Sequence, residues 1–339
     1  MASILQHARR VAWDNHKGDH ISGHAIRKLS RSDPLSLFVE ALEADGCVIV
    51  KDFTDKAALE KADWEVRPWL AQQADGVKVG GKFPPLCQTA ALLCTDWLQA
   101  LQGNTRTVTR LIGKSATVRE KFFADPLYQA LCEHFLALET THYYGNKPVT
   151  TTSHPLLSIS IAFDIPPGTP AQGLHRDDKN HHARHSHADK YAKGRDLLLG
   201  LFVPACDTVK ANGATRVVPG SHLWGDEMPD FGADGTRGVV DAEMHVGEAF
   251  IMLGSLYHGG GAYEKPLGSA KDGARESRTV YAMFSCTGVH RQEEVSFLSY
   301  SVDEVKTYSK IVQERLGWKQ SEPNLGWVDL KSPEFLLAQ

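Results

Sequence analysis

Positions 32–46, SDPLSLFVEALEADG, carry apolar residues three and four apart, a spacing that predicts an amphipathic helix stopping at Gly46. The next run, CVIVKDF, is short and β-branched and reads as a strand, and DKAALEKADWEVRPWLAQQ returns to helical spacing. A further helical pair is expected in TDWLQALQGN and SATVREKFFADPLYQALCEHFLALE, so the first third reads as helices around one strand. From Leu156 the texture changes to short apolar runs separated by Gly, Pro and Asn: LLSISIAFDI, RDLLLGLFVPA, TRVVPG, EAFIML and RTVYAMFSCTG. Strands at that spacing, with no helices between them, predict a mainly β double-sheet jelly roll with flanking helices and argue against a parallel α/β sheet. A last helix is expected over SVDEVKTYSKIVQERLGW. One domain over 1–339 is expected, with a helical part over 1–150, a jelly-roll core over about 151–300 and a helical extension over 301–339. The helices at both ends are candidates to cover one outer face of the barrel and to build a homodimer contact.

Composition narrows the partners more than the fold. With 42% apolar and 23% charged residues among 339, the chain can bury a sizeable core. A formal charge of −4 leaves no excess of Lys and Arg for a phosphate backbone or an anionic lipid surface, so neither nucleic acid nor membrane is an expected partner. The longest apolar runs, Leu197 to Ala205 and Ala249 to Leu256, fall short of the roughly 18 to 20 residues a membrane span needs. The opening MASILQHARRVAWDNHKGDH lacks an apolar core of signal-peptide length, with a transit peptide around Arg9 and Arg10 as the alternative, and a cytoplasmic protein is expected. Cys47, Cys87, Cys94, Cys132, Cys206 and Cys286 show no metal-binding or redox spacing and read as buried thiols in a reducing compartment.

Candidate chemistry begins at AQGLHRDDKN, where His175 and Asp177 are two apart. On an extended segment their side chains share one face while Arg176 and Asp178 point away. His258 follows the apolar run EAFIML in LGSLYHGGG, where three glycines remove side-chain bulk beside it. Two imidazoles and a carboxylate on one face leave open positions on an iron ion for dioxygen and a bidentate co-substrate. His-x-Asp also arises by chance, and 16 histidines offer many second partners. The ordered set is more telling: His-x-Asp, then NGATRVVPGSH, then LGSLYHGGG, then Arg278 opening the next strand. A guanidinium there suits the distal carboxylate of 2-oxoglutarate, because it can grip a carboxylate with two parallel hydrogen bonds. Arg275 in the preceding loop is its competitor.

On the motifs GKSATVREKF, PAQGLHRDD, NGATRVVPGSH, LGSLYHGGGA and VHRQEE, the stretch from Gly46 to Tyr300 resembles the phytanoyl-CoA dioxygenase family, especially its fungal and bacterial members that oxidise secondary metabolites. The resemblance implies a double-stranded β-helix (cupin-like) core, iron(II) held by His175, Asp177 and His258, and 2-oxoglutarate and O2 as co-substrates. It implies a co-substrate contact for Arg278, for Gln172 and for the Thr215 hydroxyl. Relatives lacking the carboxylate act as halogenases, so Asp177 implies hydroxylation, desaturation or oxidative cyclisation of a small-molecule biosynthetic intermediate. One departure is the long segment PLGSAKDGARES before Arg278, a candidate cover for the site.

Several further residues invite function. The run HHARHSH holds His181, His182, His185 and His187 and reads as a solvated loop at the barrel mouth, with a metal or substrate contact as the alternative. His222 reads as a hydrogen-bonded turn residue, and His245 as a hairpin residue. Arg291, Glu293 and Glu294 read as an ion-pair network at the barrel end, with a supporting role near the site as the alternative. The loop GVKVGGKFPPLCQTA is a candidate lid. Two rival functions stand beside the oxygenase: a divalent-metal barrel performing hydrolysis or isomerisation, and a catalytically silent binding barrel.

Overall fold

Apolar runs without polar alternation become strands buried on both faces. In the computed structural model, which describes residues 25–72, 105–264 and 277–338, the strands in chain order are β1 (Lys28–Ser30), β2 (Cys47–Lys51), β3 (Arg106–Thr109), β4 (Leu138–Tyr144), β5 (Lys147–Ser153), β6 (Leu156–Ile165), β7 (Leu198–Pro204), β8 (Thr215–Val217), β9 (Val240–Asp241), β10 (Ala249–Leu253), β11 (His258–Gly260) and β12 (Arg278–Cys286). Seven of them form one sheet in the order β1-β2-β10-β7-β12-β6-β3, and three form a smaller sheet, β11-β8-β9. The pairing is antiparallel except between β1 and β2. The fold is thus mostly β, a double-sheet jelly roll with helices packed outside.

The side chains of the large sheet divide by alternation, as the two-residue period requires. Val48, Val50, Leu199, Leu201, Ile251, Leu253, Tyr281 and Met283 join the helical layer in one core. Cys47, Ile49, Phe250, Met252, Ala282 and Phe284 face the small sheet, where Val217, Ala242 and Leu256 meet them. Between β12 and β6 the register runs from Arg278 opposite Ile165 to Phe284 opposite Ile159, then passes over Ser158 to place Ser285 opposite Leu157. Ser158 is therefore a bulge residue.

The outer layer begins with helices α1 (Leu35–Asp45) and α2 (Lys56–Ala71). Helix α1 ends where expected, with Gly46 in the left-handed conformation and its N–H donating to the Leu42 carbonyl. A β-carbon there would also lie 2.7 Å from His222 Nδ1. Asp55 caps α2 by accepting from Ala58 N–H. The helix expected over positions 115–139 is broken: a π-helical turn spans Val118–Phe123, and α3 starts anew at Pro126–Leu136 with Asp125 capping it. Its expected end instead enters β4, whose hairpin with β5 turns at Gly145 and Asn146. The stretch before Leu156 thus holds β1, β3, β4 and β5 besides the one expected strand. The single terminal helix is likewise two short ones, Val302–Lys306 and Lys310–Arg315, the first capped by the Ser301 hydroxyl.

Phe122 joins the layers: it is fully buried between Phe53 and Tyr281, with ring centroids 6.4 and 6.1 Å away. Phe122→Ala is expected to lower stability by about 3–5 kcal/mol, read as a shift in the urea midpoint. Cys47, Cys132 and Cys286 are buried free thiols, and Cys206 is half-buried. TDWLQALQGN, GVKVGGKFPPLCQTA, Cys87, Cys94, Arg275 and all but the last residue of PLGSAKDGARES lie outside the described residues. Among the described residues no helix is long and apolar enough to cross a membrane.

Candidate metal centre and its cavity

A two-residue β-bridge builds the centre. His175 N–H donates to the His258 carbonyl at 2.8 Å and His258 N–H donates back at 2.9 Å, so segments far apart in the chain are clamped side by side. The clamp needs close backbone approach, and glycine permits it: a β-carbon on Gly259 would lie 2.9 Å from the Gly173 carbonyl oxygen. Gly259→Ala is therefore expected to push the bridge apart and weaken metal binding by about tenfold or more, measured by iron titration. Next door, β11 pairs with β8, setting His258 opposite Val217 and Gly260 opposite Thr215.

Arg176 is extended and Asp177 then opens a short 3-10 turn, Asp177–His181, which bends the chain away after the carboxylate. The expected facing holds. His175 Nε2 lies 3.5 Å and His258 Nε2 3.3 Å from the Asp177 carboxylate. One ligand atom from each of the three residues lies within 4.8 Å of the others, the only such group among the described residues. Each imidazole uses Nδ1 on a backbone carbonyl two residues earlier, Gly173 at 2.9 Å and Leu256 at 3.1 Å. Those bonds hold a proton on Nδ1, so that each Nε2 can present its lone pair to a metal at the shared point, as ligation requires. Burial raises the Asp177 carboxyl, but His258 and His175 outweigh it and hold it well below the usual carboxylate range. The donor set fits a hard-to-borderline divalent ion such as iron.

Arg176 and Asp178 do point away. The Arg176 guanidinium donates to the carbonyls of Gly225, Ser221 and Trp224 and lies over the Tyr257 ring. Asp178 is fully buried and bonds His185 Nε2 at 2.6 Å. That contact corrects the reading of HHARHSH as a solvated loop. His185 is a buried brace for the turn that carries Asp177, and His181 is nearly buried too, while His182 and His187 are exposed. His222 is the expected structural residue: Nε2 donates to the Glu43 carbonyl at 3.0 Å, and burial pushes its imidazolium down to about 4. His245 is exposed and far from ligand duty. Arg291 is exposed, whereas Glu293 and Glu294 are held by Ser158 and Tyr300 without an ion pair to Arg291 among the described contacts.

The centre opens into a cavity of about 230 Å³. Its apolar walls are Ile159, Ile161, Phe163 and Ile165, the odd positions of β6 after the Ser158 bulge, with Phe202, Val280 and Phe284 from the neighbouring strands. Period-two alternation in LLSISIAFDI is the signal in the sequence for this wall; Asn180 lines it without a sequence signal, and Glu293, expected in an ion-pair network with a supporting role near the site as the alternative, lines it as well. Gln172, Thr215 and Arg278 also line it. Gln172 accepts from Gly260 N–H at 2.6 Å, tying it to the glycine strand. Arg278 is 3% exposed at the start of β12, and its Nε has no hydrogen-bond partner among the described residues. Burial pushes this guanidinium down to about 10, against the opposing influence of Cys206 and Tyr263. A buried cation with an unused donor, facing the cavity that holds the metal ligands, fits an anionic co-substrate such as 2-oxoglutarate.

The family model described as phytanoyl-CoA dioxygenase (PhyH) matches residues 42–264. The chain is 33% identical over 307 residues to "Dioxygenase himG" of Aspergillus japonicus, spanning 87% of this chain and 84% of that protein. It is 35% identical over 315 residues to "Dioxygenase peniF" of Penicillium patulum, spanning 92% and 91%. Among solved structures it is similar to the non-heme alpha ketoglutarate dependent epimerase SnoN from nogalamycin biosynthesis, at 18% identity and a TM-score of 0.48, covering 78% of this chain and 86% of that one.

Proposed function

The chain belongs to the phytanoyl-CoA dioxygenase family, and from that premise we propose that His175, Asp177 and His258 hold its iron(II) while Arg278 receives the distal carboxylate of 2-oxoglutarate. It is an iron(II)- and 2-oxoglutarate-dependent dioxygenase. When bound, the metal with 2-oxoglutarate and O2 supplies oxidation of an unactivated carbon–hydrogen bond, with succinate and carbon dioxide as co-products.

The chain's own residues orient and enclose that chemistry. The Nδ1 donors of His175 and His258, fixed on the Gly173 and Leu256 carbonyls, keep both rings in the ligating tautomer. Gln172, anchored on Gly260, and the Thr215 hydroxyl on the facing strand hold polar groups beside the co-substrate. The Ile159, Ile161 and Phe284 walls exclude water and grip an apolar skeleton. The substrate is a small biosynthetic intermediate of secondary metabolism, and the outcome is hydroxylation, desaturation or oxidative cyclisation. The relatives' names as dioxygenases support the reaction class. The observation that carries the assignment is the convergence of the three ligand atoms within 4.8 Å.

Incubation with iron(II), 2-oxoglutarate and O2 tests it through succinate, which even slow turnover without the prime substrate releases. Succinate formation that requires added iron and disappears in His175→Ala is the expected outcome. Equal succinate from the variant would remove His175 from the metal site.

A further inference from the structure

Glu293 has no place in the chemistry above, yet its carboxylate lines the same cavity. The residue is held at that spot by the bulge in β6. Ser158, passed over by the β12 register, donates its hydroxyl to Glu293 Oε1 at 3.2 Å and accepts from Glu293 N–H at 3.2 Å. Its carbonyl accepts from Glu294 N–H at 2.9 Å, and Gln292 Nε2 donates to the Leu157 carbonyl at 2.6 Å. The segment is thus pinned along the strand, and a carboxylate on a pinned segment is preorganised for a ligand.

The carboxylate itself is short of donors. Oε2 takes only a long 3.4 Å contact from Asn180 Nδ2, and His181 Nε2 stands 3.8 Å from Oε1, beyond hydrogen-bond range. Among the described residues no Lys or Arg lies within ion-pair distance of it. Two cations of the lining are committed elsewhere: Arg176 to three carbonyls, and Lys179 to the Ala183 carbonyl and Asp226. A carboxylate can accept at several lone pairs, so one 17% exposed, in a cavity that also presents Ile159, Ile161, Phe202 and Phe284, has capacity left for a cationic donor. No second metal explains it, since among the described residues the His175, Asp177 and His258 group alone has metal-ligand spacing.

We propose that Glu293 is a specificity-determining residue that anchors a protonated amine on an otherwise apolar substrate. The inference rests on the oxygenase reading of the cavity. The ammonium group sits against Glu293 and Asn180 while the Ile159, Ile161, Phe202 and Phe284 side chains hold the hydrocarbon.

Matched pairs of probes that differ only in the charged group test this: tryptamine with tryptophol, 2-phenylethylammonium with 2-phenylethanol, and cyclohexylmethylammonium with cyclohexylmethanol. Binding is measured anaerobically by calorimetry on protein carrying iron(II) and 2-oxoglutarate. In the wild type the ammonium member of at least one pair is expected to bind about tenfold more tightly than its alcohol. In Glu293→Gln, whose amide oxygen keeps the Ser158 contact while the charge is lost, that preference falls to near unity while alcohol affinity is unchanged. A panel in which no ammonium outbinds its alcohol, including one in which neither binds, overturns the proposal, as does a preference that survives in Glu293→Gln. The visible band of 2-oxoglutarate on iron separates the two failures. Its presence in both proteins with no ammonium preference sinks the amine anchor alone, and its absence from the wild type removes the underlying site as well.

Discussion

Asp177→Ala is expected to lower iron(II) affinity by about 100-fold or more and to abolish 2-oxoglutarate turnover. Loss of a group that merely orients a ligand already costs about 10–100-fold in metal affinity, and here the centre's only carboxylate is removed. The two Nε2 atoms, 3.5 and 3.3 Å from that carboxylate, would still converge, but on a site without negative charge. The fold should persist, because the β-bridge between His175 and His258 is made by backbone groups. Metal titration checks the first effect and thermal unfolding without metal the second. Iron affinity within a few-fold of wild type would mean that the carboxylate is not a ligand.

Arg278→Ala should raise the Kd for 2-oxoglutarate by about 100-fold, near 3 kcal/mol, within the range for truncating one partner of a buried, hydrogen-bonded charge pair. The guanidinium is 3% exposed, so its replacement leaves the distal carboxylate facing an apolar strand end. Iron affinity should be unchanged, since the guanidinium is not among the ligand atoms. Arg278→Lys should fall between wild type and alanine: the charge is kept and the two-pronged grip is lost. Calorimetry with 2-oxoglutarate on the iron-loaded variants reads both. An unchanged Kd in Arg278→Ala would move the clamp to another residue.

Much of the centre was legible because its geometry is local. His-x-Asp needs only an extended Arg176 to bring its two ends together, and Arg176 is extended. The doubly apolar runs that became β7, β10 and β12 announced themselves by lacking alternation. The hairpin of β4 and β5 did not, because its Thr-rich strands are mostly exposed and show no apolar face; Gly145 and Asn146 between β-branched and aromatic residues were the available sign. His185 reads as solvated in the sequence, since its burial depends on how the turn after Asp177 folds back onto Asp178. In the sequence Glu293 reads as a member of an ion-pair network, with a supporting role near the site as the alternative. Its partners Ser158 and Asn180 stand 135 and 113 positions away in the chain, so only the folded sheet brings them together.

The central claim, that one cavity binds iron through His175, Asp177 and His258 and 2-oxoglutarate through Arg278, is tested most directly by anaerobic titration of the metal-free protein with iron(II) and then 2-oxoglutarate. The account predicts a weak visible charge-transfer band as the keto acid chelates the metal. It predicts loss of the band in His258→Ala at any 2-oxoglutarate concentration, and in Arg278→Ala its return only at far higher 2-oxoglutarate. A folded, iron-loaded wild-type protein that gives no band would contradict the account and favour a metal barrel that works without oxygen.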